Sequence, residues 1–222
     1  MATILCIETA TKNCSVALSV NGSVIALCED NPKNEAGKHF SHAEKLQQYI
    51  TKVLAEAKVS KNKLDAVAVS KGPGSYTGLR IGVSAAKGLC YALDIPLISI
   101  LTLASLARQV NGTLVIPMLD ARRMEVYSAV FSSEMEQIRH TEAQIITQDS
   151  FESYLAGAVV TFIGDGVEKF QAMCTHPNAV FINNALPSAS QMAAIATIKY
   201  NKSTFEDVAY FEPYYLKDFI SH

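Results

Sequence analysis

Two acidic residues close short apolar runs, Glu8 after Ile4 to Ile7 and Asp120 after Leu114 to Leu119. A carboxylate pair of this kind is a candidate for acid–base work or for orienting a hydrated cation, although an acid after a strand is also an ordinary turn residue. The run Lys71, Gly72, Pro73, Gly74, Ser75, Tyr76, Thr77, Gly78, Leu79, Arg80, Ile81, Gly82 joins an apolar strand to a long helix. Gly72 and Gly74 open backbone angles closed to other residues, Pro73 stiffens the bend, and Ser75 or Thr77 can cap the helix. Free N–H groups at such a helix start favour an anion, while turn-making alone also accounts for the glycines. No Lys followed by Ser or Thr comes after the second glycine and no dinucleotide spacing occurs, so an ordinary nucleotide site is not expected.

Other reactive side chains point to less chemistry. His39 and His42 stand three apart, whereas a helical metal pair needs a spacing of four or a third ligand; Ser41 with Glu44 reads instead as a capping box. No metal is expected there. Gly74 and Ser75 are followed by Tyr76, Thr77 and Gly78, one residue too long for a nucleophile elbow, so peptidase activity is not expected. Cys6, Cys14, Cys28, Cys90 and Cys174 are scattered without ligand spacing and read as reduced, buried thiols of a cytoplasmic protein. Arg122 and Arg123 lie on a turn, where solvation is the ordinary state and any RNA contact would be a supplement.

The elements that must position these residues follow from periodicity. Ile4 to Ile7, Ser15 to Val20 and Val24 to Glu29 read as strands, the last two joined by a hairpin at Asn21 and Gly22. A helix from about His42 to Ala57 carries Ala43, Leu46, Ile50, Val53, Leu54 and Ala57 on one stripe. A strand from Leu64 to Ser70, a helix from Leu79 to Leu93, a strand from Leu97 to Ile100 and a helix from Leu103 to Val110 complete a first half. The order then restarts with strands from Leu114 to Leu119, Glu125 to Phe131 and near Ala143 to Thr147. A helix from Ser150 to Ala156, a strand from Val159 to Ile163 and a last helix from Ser188 to Tyr200 follow. This repetition predicts an α/β protein with a duplicated plan, divided as 1–110 and 111–222, the second part reduced. It is the two-lobed actin, sugar kinase and Hsp70 plan, which is RNase H-like.

With 222 residues, 49% hydrophobic and 18% charged, the chain can bury a sizeable core. Its net charge of -2 gives no general attraction to nucleic acid, which disfavours direct RNA binding by the chain alone. No basic region with a long apolar stretch opens the chain, and Lys87 interrupts the most apolar helix, so neither secretion nor membrane insertion is indicated. Gly78, Gly82 and Ala86 recur every four residues, with Cys90 extending the line. Such a stripe lets another helix come close, whether from the same half or from a partner.

The opening Ile7, Glu8, Thr9, Ala10, Thr11, the segment His42, Ala43, Glu44, the glycine loop through Gly82 and the stretch Asp120, Ala121, Arg122, Arg123, Met124, Glu125, Val126, Tyr127 fall in one order. Through to Tyr214, Tyr215 and Leu216, the chain resembles the TsaB (YeaZ) family. That resemblance implies a bacterial accessory subunit for threonylcarbamoyladenosine formation at position 37 of tRNA. It also implies a TsaD-type catalytic partner, a TsaE-type ATPase acting through the complex, indirect contact with tRNA, and a homodimer when alone. It carries no catalytic residue and no cofactor of its own. Glu8 takes the place where related folds put the magnesium-orienting acid, one methylene longer, and no Gly-Gly pair is available for an adenosine loop, with Gly164, Asp165 and Gly166 as the remnant. Weak or absent ATP hydrolysis is expected. The partner interface implied by the two helices would use Leu46, Ile50, Val53, Gly78, Gly82, Ala86 and Cys90. The alternative is a small-molecule phosphotransferase of the actin-like superfamily.

Overall fold

The computed structural model describes residues 1–30 and 42–217. They divide into two compact units, 1–102 with 188–214 and 103–187 with 215 onward.

In the first unit, β1 (Thr3–Glu8), β2 (Ser15–Val20), β3 (Ser23–Glu29), β4 (Ala66–Gly72) and β5 (Leu97–Leu101) form one sheet in the order β3-β2-β1-β4-β5. The turn between β2 and β3 holds Asn21 and Gly22 at φ 50° and 83°, the left-handed pair that a two-residue hairpin needs. Beside this antiparallel pair, β1 runs parallel to β4 and β4 to β5. A strand buried on both faces must be apolar throughout, and β1 is: Leu5 and Ile7 face one layer of helices, Ile4 and Cys6 the other. The first layer is α1 (His42–Glu56) and α2 (Tyr76–Leu93), which sends Leu46, Ile50, Val53, Val83, Ala86 and Cys90 into the core.

The opposite face of this sheet is covered by α6 (Ala189–Asn201), through Ala189, Met192 and Ala196 against Ala17, Ala66, Ala68 and Ile98. A division at residue 110 would put this helix with the second half. Its small side chains instead match the alanines of the first sheet, so the chain returns. The segment beyond it is tied down by Glu206 N–H to the Leu97 carbonyl (2.9 Å) and Tyr214 N–H to the Lys71 carbonyl (2.7 Å).

In the second unit, β6 (Leu114–Asp120), β7 (Glu125–Ser132), β8 (Gln137–Ile145), β9 (Val160–Gly164) and β10 (Ala179–Asn183) take the order β10-β9-β6-β7-β8. Here β6 pairs antiparallel with β7 and parallel with β9, as β1 does with β2 and β4. The repeated plan is thus present strand for strand. α3 (Thr102–Ala107) packs Leu103 and Leu106 on one face with Val115 and Leu119. On the other face, α4 (Glu152–Leu155) and α5 (Val167–Gln171) are only four and five residues long. Aromatic bulk replaces helix length there: Phe151, Phe162, Phe170 and Phe181 pack ring to ring, with centroids 4.9 Å apart for Phe162 and Phe170. This is the reduction expected of the second half.

Candidate functional site

Glu8 is the last residue of β1, and the parallel register with β4 brings it beside Ser70. It is fully buried. One carboxyl oxygen, Oε1, accepts from the Ala10 N–H (2.7 Å) and the Ser70 hydroxyl (2.8 Å), while Oε2 has no partner among the described residues. Burial pushes this carboxyl up to about 7, against the opposing pull of the Ala10, Ser70 and Thr9 hydrogen bonds. A buried acid this poorly solvated holds its proton near neutrality.

After Glu8 the chain turns through Thr9 and Ala10, and the glycine loop closes on that turn. Ser75 N–H donates to the Ala10 carbonyl (2.6 Å), and Thr9 Oγ1 donates to the Gly78 carbonyl (2.8 Å). A Cβ on Gly74 would overlap the Ala10 carbonyl, one on Gly78 the Thr9 carbonyl, and one on Gly82 the Thr9 hydroxyl. Gly72, at φ 115°, has the Tyr214 carbonyl 2.6 Å from where its Cβ would stand, and the Gly72–Pro73 peptide bond is cis. Ser75 is the helix cap, its hydroxyl accepting from Gly78 N–H (3.3 Å); Thr77 is exposed. The space opened by the missing side chains is therefore filled by the chain itself, and the first N–H group facing it is already bonded. Lys71 carries the Tyr214 contact through its carbonyl. These residues do not fit a phosphate with its magnesium: the cradle is full and Glu8 is enclosed.

The helix stripe has an interior role as well. Gly78 and Gly82 abut Thr9, Ala86 and Cys90 continue into the core of the first unit, and Leu46, Ile50 and Val53 meet the same core from α1. All seven residues assigned to a partner interface from the sequence are buried within their own unit. The other side of α2 is open, with Arg80, Ser84, Gly88, Tyr91 and Ala92 exposed. Tyr91 is 86% exposed, and nothing lies within 4 Å of a Cβ placed on Gly88. A mid-helix glycine costs stability relative to alanine, and no internal contact here requires it. The sequence carried this second small-residue line, Ser84 and Gly88, in plain sight.

Asp120 ends β6 as Glu8 ends β1, but its surroundings differ. Partial desolvation works to raise its pKa, yet the Lys169 ammonium (2.6 Å) and the Arg122 N–H (2.6 Å) on Oδ1 outweigh it and hold the carboxyl below its ordinary value. Asp120 is thus paired within its own unit, whereas Glu8 keeps one buried oxygen without a partner among the described residues. Gly164, at φ 137°, and Gly166 lie against the carbonyl groups of Met118 and Leu119, and Asp165 accepts from Asp120 N–H (3.0 Å). The second glycine turn is likewise filled by its neighbouring strand.

His39 and Ser41 lie outside the described residues; His42 donates through Nε2 to the Thr11 carbonyl (2.6 Å). Among the described residues no three His, Cys, Asp or Glu side chains gather as a metal site. The five cysteines are free and buried, and burial lifts the Cys6 and Cys14 thiols to about 12 and Cys90 to about 11, which leaves them protonated. Among the described residues no helix is long and apolar enough to cross a membrane.

Two five-stranded sheets of one order, an acid at the end of each first strand and a glycine turn after each fourth define a duplicated actin-like α/β protein. Residues 35–219 match the family model described as TsaD, tRNA N6-adenosine threonylcarbamoyltransferase. The chain is 32% identical to the tRNA threonylcarbamoyladenosine biosynthesis protein TsaB of Escherichia coli K12, across 97% of this chain and 94% of that one. The Haemophilus influenzae protein of the same name is 28% identical with the same coverage. Among solved structures, YeaZ from Pseudomonas aeruginosa superposes with a TM-score of 0.81 at 27% identity, covering 97% of this chain and all of that one. The chain belongs to the TsaB family.

Proposed function

We propose that this chain is an accessory subunit in the formation of threonylcarbamoyladenosine on tRNA, working in the cytoplasm on a TsaD-type catalytic partner. The observation that carries the reading is kinship along nearly the whole chain to proteins named for that biosynthesis, combined with a match to the TsaD model. The absence of a catalytic role fits the site geometry: the glycine loop is occupied by Thr9 and Ala10, and Glu8 is enclosed beside Ser70. Docking uses the outward side of α2, where small residues at Ser84, Gly88 and Ala92 let a facing helix approach and Tyr91 supplies a large anchor. In this reading the same surface pairs two copies when the chain is alone, a TsaE-type ATPase joins through the complex, and cofactor and tRNA chemistry belong to the partner.

The test is copurification of the TsaD-type partner with the Gly88→Trp variant. Open space at Gly88 leaves the fold intact, which circular dichroism checks, and the bulky ring should remove the partner. A folded variant that retains the partner at the wild-type level refutes this docking face.

A further inference from the structure

The turn between β6 and β7 holds two consecutive left-handed residues, Arg122 at φ 71° and Arg123 at φ 49°. Such angles suit glycine or asparagine and strain a residue with a longer side chain. The turn is nevertheless firmly braced. Ala121 N–H donates to the Glu125 carbonyl and Glu125 N–H to the Arg122 carbonyl, both at 3.1 Å, and Asp120 accepts from Arg122 N–H. Beneath it the cations are spent on neighbouring acids: Lys169 pairs with Asp120, and Lys217 with Glu125. Neither arginine side chain has an ion pair or hydrogen bond among the described residues, and the Arg122 guanidinium, unlike its backbone N–H, acts on Asp120 only through its field. Both are exposed, as is Met124 beside them.

The fold therefore gives no reason for arginine at either position, whereas a ligand needing two adjacent guanidinium groups on a braced turn does. A guanidinium fork matches phosphate in two-pronged fashion, and a projecting turn can meet successive phosphates along a strand while Met124 lies on an apolar sugar or base face. With a net charge of -2 the chain has no global pull on polyanions, so the attraction is confined to this turn. We propose that the Arg122–Arg123 turn is a contact for the ribose–phosphate backbone of the tRNA being modified, positioning it without reading its sequence. This rests on the reading of the chain as a subunit of a tRNA-modifying assembly.

The experiment measures binding of an unmodified tRNA transcript to the complex of the full chain with its TsaD-type partner, by fluorescence anisotropy across a salt series. The double variant Arg122→Gly, Arg123→Gly should bind about tenfold to a hundredfold more weakly, with a log–log salt slope shallower by roughly two, one for each lost phosphate contact. Its melting temperature should hold or rise, since glycine relieves the left-handed angles, which separates a ligand role from a structural one. Arg122→Lys, Arg123→Lys should keep the slope and lose part of the affinity. Unchanged affinity and slope in the glycine variant overturn the proposal, as does a loss of partner copurification in place of tRNA binding. A wild-type assembly that binds no tRNA overturns the underlying reading along with it.

Discussion

Changing Glu8 to Gln isolates what ionisation of this carboxyl does to the first unit. The glutamine carbonyl can accept from Ala10 N–H and the Ser70 hydroxyl as Oε1 does now, so the variant copies the neutral side chain. Burial raises the folded carboxyl to about 7 from its ordinary 4.5. The folded state thus holds the proton where the unfolded chain has released it, and stability must fall as pH rises through that interval and stay lowered above it. At about 1.4 kcal/mol per pH unit, the penalty above neutrality is roughly 3 kcal/mol. Urea unfolding followed by circular dichroism should find the two proteins within about 0.5 kcal/mol at pH 4.5, and the variant more stable by roughly 3 kcal/mol at pH 8. Parallel pH profiles for the two proteins would refute the account of Glu8 as a desolvated acid.

Two further substitutions test the two sides of α2. Gly78→Ala places a methyl group on the Thr9 carbonyl and should cost about 1–3 kcal/mol by overpacking, whereas Gly88→Ala, in open space, should gain about 1 kcal/mol from helix propensity; denaturation midpoints decide both. Buried Lys45 pairs with half-buried Asp30 at 3.0 Å, with Tyr49 also donating to Asp30 at 2.7 Å. Lys45→Met should therefore destabilise by about 1–3 kcal/mol, since Asp30 loses its cation but keeps the Tyr49 hydroxyl and Cys14 N–H donors, and a loss below about 0.5 kcal/mol in thermal unfolding would show the pair to be solvated.

The sequence exposed those features whose cause is local. Asn21 and Gly22 between alternating runs specify their hairpin, and Ser75 three residues before Gly78 marks the start of α2. Features set by distant partners were hidden. β8 begins at Gln137, six residues earlier than its apolar content suggests, because Gln137 to Glu142 is a polar edge strand whose register is fixed by β7. β10 gives little periodic signal because its five residues pair only with β9, and nothing within α6 itself announces that Ala66 and Ala68 of the first sheet meet it. The stripe on α2 was correctly spaced but has two sides, one ending on Thr9 and one on solvent; nothing in the periodicity says which is which. Glu8 was legible as an acid after a strand, and its enclosure by Ser70 was not, since that depends on parallel pairing across sixty-two residues.

The most direct test of the whole account is the yield of threonylcarbamoyladenosine on tRNA made by the TsaD-type partner and its supporting enzymes as this chain is titrated in. A docking subunit without chemistry of its own predicts a yield that depends on the chain, levels off near equimolar addition and is sustained equally by the Glu8→Gln variant. A yield indifferent to the chain, or modification carried out by the chain without its partner, would contradict it.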